Sequence, residues 1–96
     1  MVRAMSHEAQ QRVRARGAGA WEIEARLEDS KWFVFTCPGC GAVSEVEIIP
    51  PGRPASASHQ WDWDGNLEAP TLSPSLQELG GCRWHGYMRG GSWVLA

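Results

Sequence analysis

Apolar and charged residues alternate strictly from Trp21 to Glu28, with Trp21, Ile23, Ala25 and Leu27 set against Glu22, Glu24, Arg26 and Glu28. A period of two places successive side chains on opposite faces and predicts a half-exposed β-strand. Glu28-Asp29-Ser30-Lys31 reads as a turn, and the apolar run Trp32-Phe33-Val34-Phe35-Thr36 as a second, more buried strand. From Ala42 to Ile49 the alternation returns, with Val43, Glu45 and Glu47 facing one way and Ser44, Val46 and Ile48 the other. Pro50 to Ser58 reads as a loop, because its prolines cannot donate to a strand ladder. Trp61-Asp62-Trp63 resumes extended structure and Asp64-Gly65 marks a tight turn. Thr71 to Leu76 is extended but limited by Pro74, and Trp84–Met88 with Ser92–Leu95 predicts a terminal hairpin around Gly90-Gly91.

The N-terminus breaks this rhythm. Residues 1–16 are rich in good helix formers, and Val2, Met5, Ala9 and Val13 form a thin apolar stripe at helical spacing that Gly17-Ala18-Gly19 ends. The pattern predicts a short helix or a disordered arm over 1–19, followed by one mostly β domain of antiparallel hairpins over 20–96. Charge follows the same division. The net charge is −2 overall, but residues 1–19 carry four arginines against Glu8 alone, and residues 20–96 carry an excess of five acids. A basic arm on an acidic body either docks on that body or offers Arg12, Arg14 and Arg16 to nucleic acid. No run approaches the roughly 20 apolar residues of a membrane span, and no apolar leader segment precedes a cleavage site. Three cysteines make an odd number, which argues against a disulfide framework and for a reducing cytoplasm.

Those cysteines carry the clearest chemistry. Cys37-Pro38-Gly39-Cys40 and Cys82-Arg83-Trp84-His85 are two half-sites with 41 residues between them. Together Cys37, Cys40, Cys82 and His85 supply the four tetrahedral sulfur and nitrogen ligands of a closed structural Zn2+ site, of the zinc-ribbon or rubredoxin-like knuckle type. A chain of 96 residues buries a modest core, so a metal staple is physically welcome. A thioredoxin-like redox pair would need a βαβ setting that is missing here, and iron is the alternative metal. If His85 were not a ligand, the site would take the open form of catalytic zinc, with Glu45 or Asp62 as base. His59, which could replace His85 as a ligand, follows a Ser/Ala loop and reads as a surface residue.

Six tryptophans in a chain of this size also call for explanation. The segment Trp61 to Ser75 reads either as a hairpin covering the metal, its Ser and Thr hydroxyls capping backbone groups, or as a recognition surface. In the second case Trp61, Trp63, Trp84 and Tyr87 would anchor a protein partner. No phosphate loop, nucleophile elbow or plausible carboxylate pair is present.

Three blocks in order, Cys37-Pro38-Gly39-Cys40-Gly41, the W-x-W-x-G-x-x-x-x-P-T-x-S-P-S run from Trp61 to Ser75, and Cys82-x-Trp84-His85-Gly86-Tyr87, resemble a small family. It comprises uncharacterised phage and prophage zinc-binding proteins, a domain of unknown function sometimes mislabelled as ammonia monooxygenase. The resemblance covers roughly residues 33–93 and implies Cys37, Cys40, Cys82 and His85 as the metal ligands. Many relatives place a cysteine directly before the histidine, where this chain has Trp84. The resulting expectation is a non-enzymatic, zinc-stapled phage or prophage accessory protein that binds a host factor or phage component, in the host cytoplasm or in the virion. The alternatives are a nucleic-acid-binding zinc ribbon using the arginine arm, and a metal-dependent enzyme or redox protein.

Overall fold

The computed structural model describes residues 7–26, 30–53, 60–77 and 82–96. Within them the chain runs α1 (His7–Arg16), β1 (Trp21–Ala25), β2 (Lys31–Thr36), β3 (Val43–Ile49), β4 (Gln60–Trp63), β5 (Leu72–Ser73), β6 (Leu76–Gln77), β7 (His85–Arg89) and β8 (Ser92–Leu95). The first five strands form one sheet in sequential order, and β6, β7 and β8 form a second. The mostly β expectation holds, with one difference: β3 and β4 pair in parallel, Ile48 opposite Trp61. The ten-residue connection 50–59 returns the chain to its starting end, whereas a hairpin would have reversed it. The stretches 27–29, 54–59 and 78–81, with Val2 and Met5 of the helical stripe, lie outside the described residues.

β2 is the hinge of the packing because both its faces are covered. Phe33 and Phe35 point toward the second sheet, where they join Ile48, Trp63, Leu72, Leu76 and Met88 in the main core. Trp21 stacks on Phe33 with centroids 5.6 Å apart, and Trp93 closes on Phe35 at 5.4 Å. Val34 points the other way and meets Ala9 and Val13 of α1. The thin helical stripe is therefore sufficient: α1 covers little more than one strand. Thr36, also buried on that side, donates its hydroxyl to the Gly17 carbonyl at 2.6 Å and accepts the Ala20 N–H at 3.1 Å, which fixes the helix-to-strand corner.

The acidic side of β1 and β3 is neutralised under the same helix. Arg26 bonds Glu24 at 2.6 Å and Glu45 at 2.8 Å, lies 4.7 Å over the Trp32 ring, and Gln10 of α1 donates to Glu45 at 3.2 Å. The result is three layers: helix, five-stranded sheet, three-stranded sheet. Phe33 is fully buried between the two sheets, so Phe33→Ala is expected to cost about 3–5 kcal/mol, read as a lowered midpoint in urea unfolding. For a small domain that is much of its stability. Exposed Leu67 truncated to Ala should leave the midpoint nearly unchanged.

Candidate functional site

The knuckle sequences fold into turns that present sulfur inward. Cys37 follows β2 directly, and its N–H bonds to the Ala42 carbonyl at 2.8 Å while its own carbonyl accepts the Gly41 N–H at 2.8 Å. Residues Gly41 and Arg83, each one step after a cysteine, have φ of 81° and 63°. This left-handed step is easy for glycine and strained for arginine. It aims an N–H back at sulfur in each half-site: Ala42 donates to Cys40 and Trp84 to Cys82. Gly39 donates to the Cys37 sulfur at 3.3 Å, so all three sulfurs receive an N–H from two residues on. A Cβ on Gly39 would stand 2.7 Å from the Cys82 sulfur, which is why glycine is needed there.

The three sulfurs lie within 4.8 Å of one another, and Cys37 and Cys82 approach to 3.5 Å. Cys37 is buried; Cys40 and Cys82 are exposed. The N–H groups of Ala42 and Cys82 pull the Cys40 thiol below its ordinary range. At Cys82 the Trp84 N–H acts in the same direction, but hydrogen bonding to Cys37, partial desolvation and the contact with Cys40 outweigh it and raise the thiol. Three clustered sulfurs, each with a backbone donor, are the environment of a thiolate-bound metal, and this group could hold an ion.

His85 stands outside the cysteine group. Its Nε2 lies 2.6 Å from the hydroxyl of Ser75, and this is the second constellation of the molecule. Ser75 occupies the two-residue joint, Pro74-Ser75, between the last strand of one sheet and the first strand of the other. The Ser73–Pro74 peptide is cis, and the Trp61 indole N–H holds the Ser75 carbonyl at 3.2 Å. His85 opens β7, opposite Gln77 of β6, and its carbonyl accepts the Ala96 N–H at 3.0 Å. Beside it, Gly86 leaves room for the folded-back Trp84 ring: a Cβ there would meet that ring at 2.5 Å. Ser75 is half-buried and His85 exposed, so the pair faces solvent. Among the described residues no carboxylate bonds the other ring nitrogen of His85.

The other sequence candidates take structural places. Trp63 is 7% exposed and donates to the Asn66 carbonyl at 3.1 Å, so it has no free ring to offer a partner. Trp61 and Trp84 are half-buried against the core, Trp84 edge-on to Trp93 at 5.3 Å. Tyr87 is half-buried, with the Arg89 guanidinium over its ring. Arg12 bonds Glu22 at 3.0 Å and Arg16 reaches Glu22 at 3.8 Å, so both turn onto the body, while Arg14 is exposed. Glu45, considered as a base, is held ionised by Arg26. Asp62 is exposed on β4, and His59 lies outside the described residues. No helix among the described residues is long and apolar enough to cross a membrane.

The Ser75–His85 contact is what sequence reasoning missed. The Ser75 hydroxyl sits among Thr71, Ser73 and other chain-capping candidates, without the glycines that mark a nucleophile elbow. The signal was a serine in an irregular segment together with a histidine already claimed as a ligand.

A family model described as "Bacterial ubiquitination-like system serine protease (BubE)" matches residues 5–96. No curated protein and no solved structure matches the chain. The match overturns the reading of a non-enzymatic binding module, because the family is one of proteases. The family is named for a bacterial system and is not specifically a phage one.

Proposed function

The chain belongs to the family of bacterial ubiquitination-like system serine proteases, and from that premise we propose that Ser75 is its nucleophile and His85 its general base. The observation that carries this reading is the 2.6 Å contact between Ser75 Oγ and His85 Nε2. A serine hydroxyl is a weak nucleophile until a neighbouring base takes its proton, and the required approach is about 2.6–3.2 Å. With Nε2 unprotonated, His85 accepts the Ser75 proton as Oγ bonds to the scissile carbonyl carbon. Collapse of the tetrahedral intermediate breaks the C–N bond, and His85 returns the proton to the leaving amine. Water then attacks the acyl ester with His85 again as base, restoring Ser75. Trp61 and the β6–β7 register hold the two partners from opposite sheets. The exposed position of His85 suits a polypeptide substrate, which an enclosed pocket would exclude.

We further infer that Cys37, Cys40 and Cys82 hold zinc, in keeping with three soft donors and their backbone N–H bonds. The ion would act as a staple that holds the Cys82–His85 segment to the knuckle after β2. The hydrolysis itself is assigned to the serine and histidine.

The test is covalent. A fluorophosphonate probe phosphonylates only activated serine hydroxyls, so mass spectrometry is expected to find one adduct, on the Ser75 peptide, and none in His85→Ala. An unmodified Ser75, or an adduct on another serine, refutes the assignment.

A further inference from the structure

The face of β7 continues outward from His85. Its residues are alternately exposed and buried, so that His85, Tyr87 and Arg89 share the solvent face while Gly86 and Met88 turn inward. Val94 of β8 lies opposite Tyr87 and is 39% exposed, giving that face an apolar step. The Arg89 guanidinium rests 4.2 Å above the Tyr87 ring, a cation–π contact that presets its direction. Arg12, Arg16 and Arg26 are engaged by glutamates, but among the described residues no carboxylate pairs with Arg89.

At about 3.3 Å per residue, Tyr87 and Arg89 stand roughly 7 and 13 Å along the strand from the general base. An extended polypeptide crossing the Ser75–His85 pair spans those distances with its second and fourth residues from the scissile bond. We propose that this row is a substrate-recognition surface for an extended acidic segment, with Tyr87 and Val94 under an apolar residue and Arg89 bound to a carboxylate about four residues from the cleaved bond. Charge complementarity selects the occupant. Arg89 is a directed cation on the same face as the reacting group, the complement of a carboxylate on the bound chain. The proposal rests on the assignment of Ser75 and His85 made above.

The experiment measures the rate of fluorophosphonate labelling of Ser75 with an extended Glu-rich or Lys-rich peptide as competitor. At low salt the Glu-rich peptide is expected to slow labelling about two- to fivefold more than the Lys-rich one, and the difference should vanish at high salt. In Arg89→Glu, with each rate referred to that variant's own rate without competitor, the preference is expected to reverse. Arg89→Gln should abolish it. Equal competition by the two peptides, or a preference that survives Arg89→Glu, overturns the recognition surface and leaves the catalytic pair standing. Failure of the probe to modify Ser75 at all overturns both.

Discussion

Alanine in place of Ser75 is expected to lower kcat for an activated ester by roughly four to six orders of magnitude while the circular dichroism spectrum stays that of the wild type. The scale follows from the chemistry: with Oγ removed there is no atom to carry the acyl group, and only binding and background hydrolysis remain. His85→Ala should fall nearly as far, because a serine without its base has lost its activation. The two residues act as a unit, so the double variant should be no slower than the worse single one. Ser73→Ala is the matched control. That serine is exposed two positions earlier and is expected to keep full activity. A Ser75→Ala protein losing only a fewfold would mean that another hydroxyl attacks.

Removal of metal is expected to unfold the domain and end activity together. A structural zinc contributes about 10–16 kcal/mol in small peptides, as much as the whole stability of a typical domain. The three cysteines tie the end of β2 to the segment that leads into β7, two parts of the chain joined by the Cys37–Cys82 approach of 3.5 Å. Chelation followed by circular dichroism and ester hydrolysis should show both signals lost and both restored by zinc. Cys37→Ser should be the most damaging single change at this site, since Cys37 is fully buried and its sulfur has no water to replace a lost ligand. Cys82→Ser should weaken catalysis most directly, because Cys82 stands three residues before His85. Chelated protein with intact spectrum and turnover would remove the metal from any structural role.

Much of the fold was legible because β-structure writes itself locally. Period-two alternation marked β1 and β3 and a continuous apolar run marked β2. The limits of β2 and β3 differ from the expected ones by one residue, while β1 ends at Ala25, short of the alternation that runs to Glu28. The clustering of Cys37, Cys40 and Cys82 followed from spacing and donor chemistry alone. Two things were not legible, for different reasons. The parallel pairing of β3 with β4 depends on where a long connection returns, which no local pattern encodes. The pair we assign to catalysis depends on a contact between Ser75, in the joint before β6, and His85 on the neighbouring strand β7, and the nearby Cys82 gave the histidine a more familiar role as ligand. Tertiary packing also decided α1: its apolar stripe reads as marginal until Ala9 and Val13 meet Val34.

The two-residue joint at Pro74-Ser75 has a consequence for when this enzyme can cut. The nucleophile rides on the hinge between the two sheets, its carbonyl pinned by Trp61 from one, and its base mounted on the other. A misplacement of about 1 Å between reacting groups costs on the order of a hundredfold in rate. A chain in which β6 and β7 have not yet paired is therefore expected to be inactive although Ser75 and His85 are both present. Pairing of β6 with β7 is the step that brings the hydroxyl and the imidazole together, so the formation of one short strand pair arms the molecule.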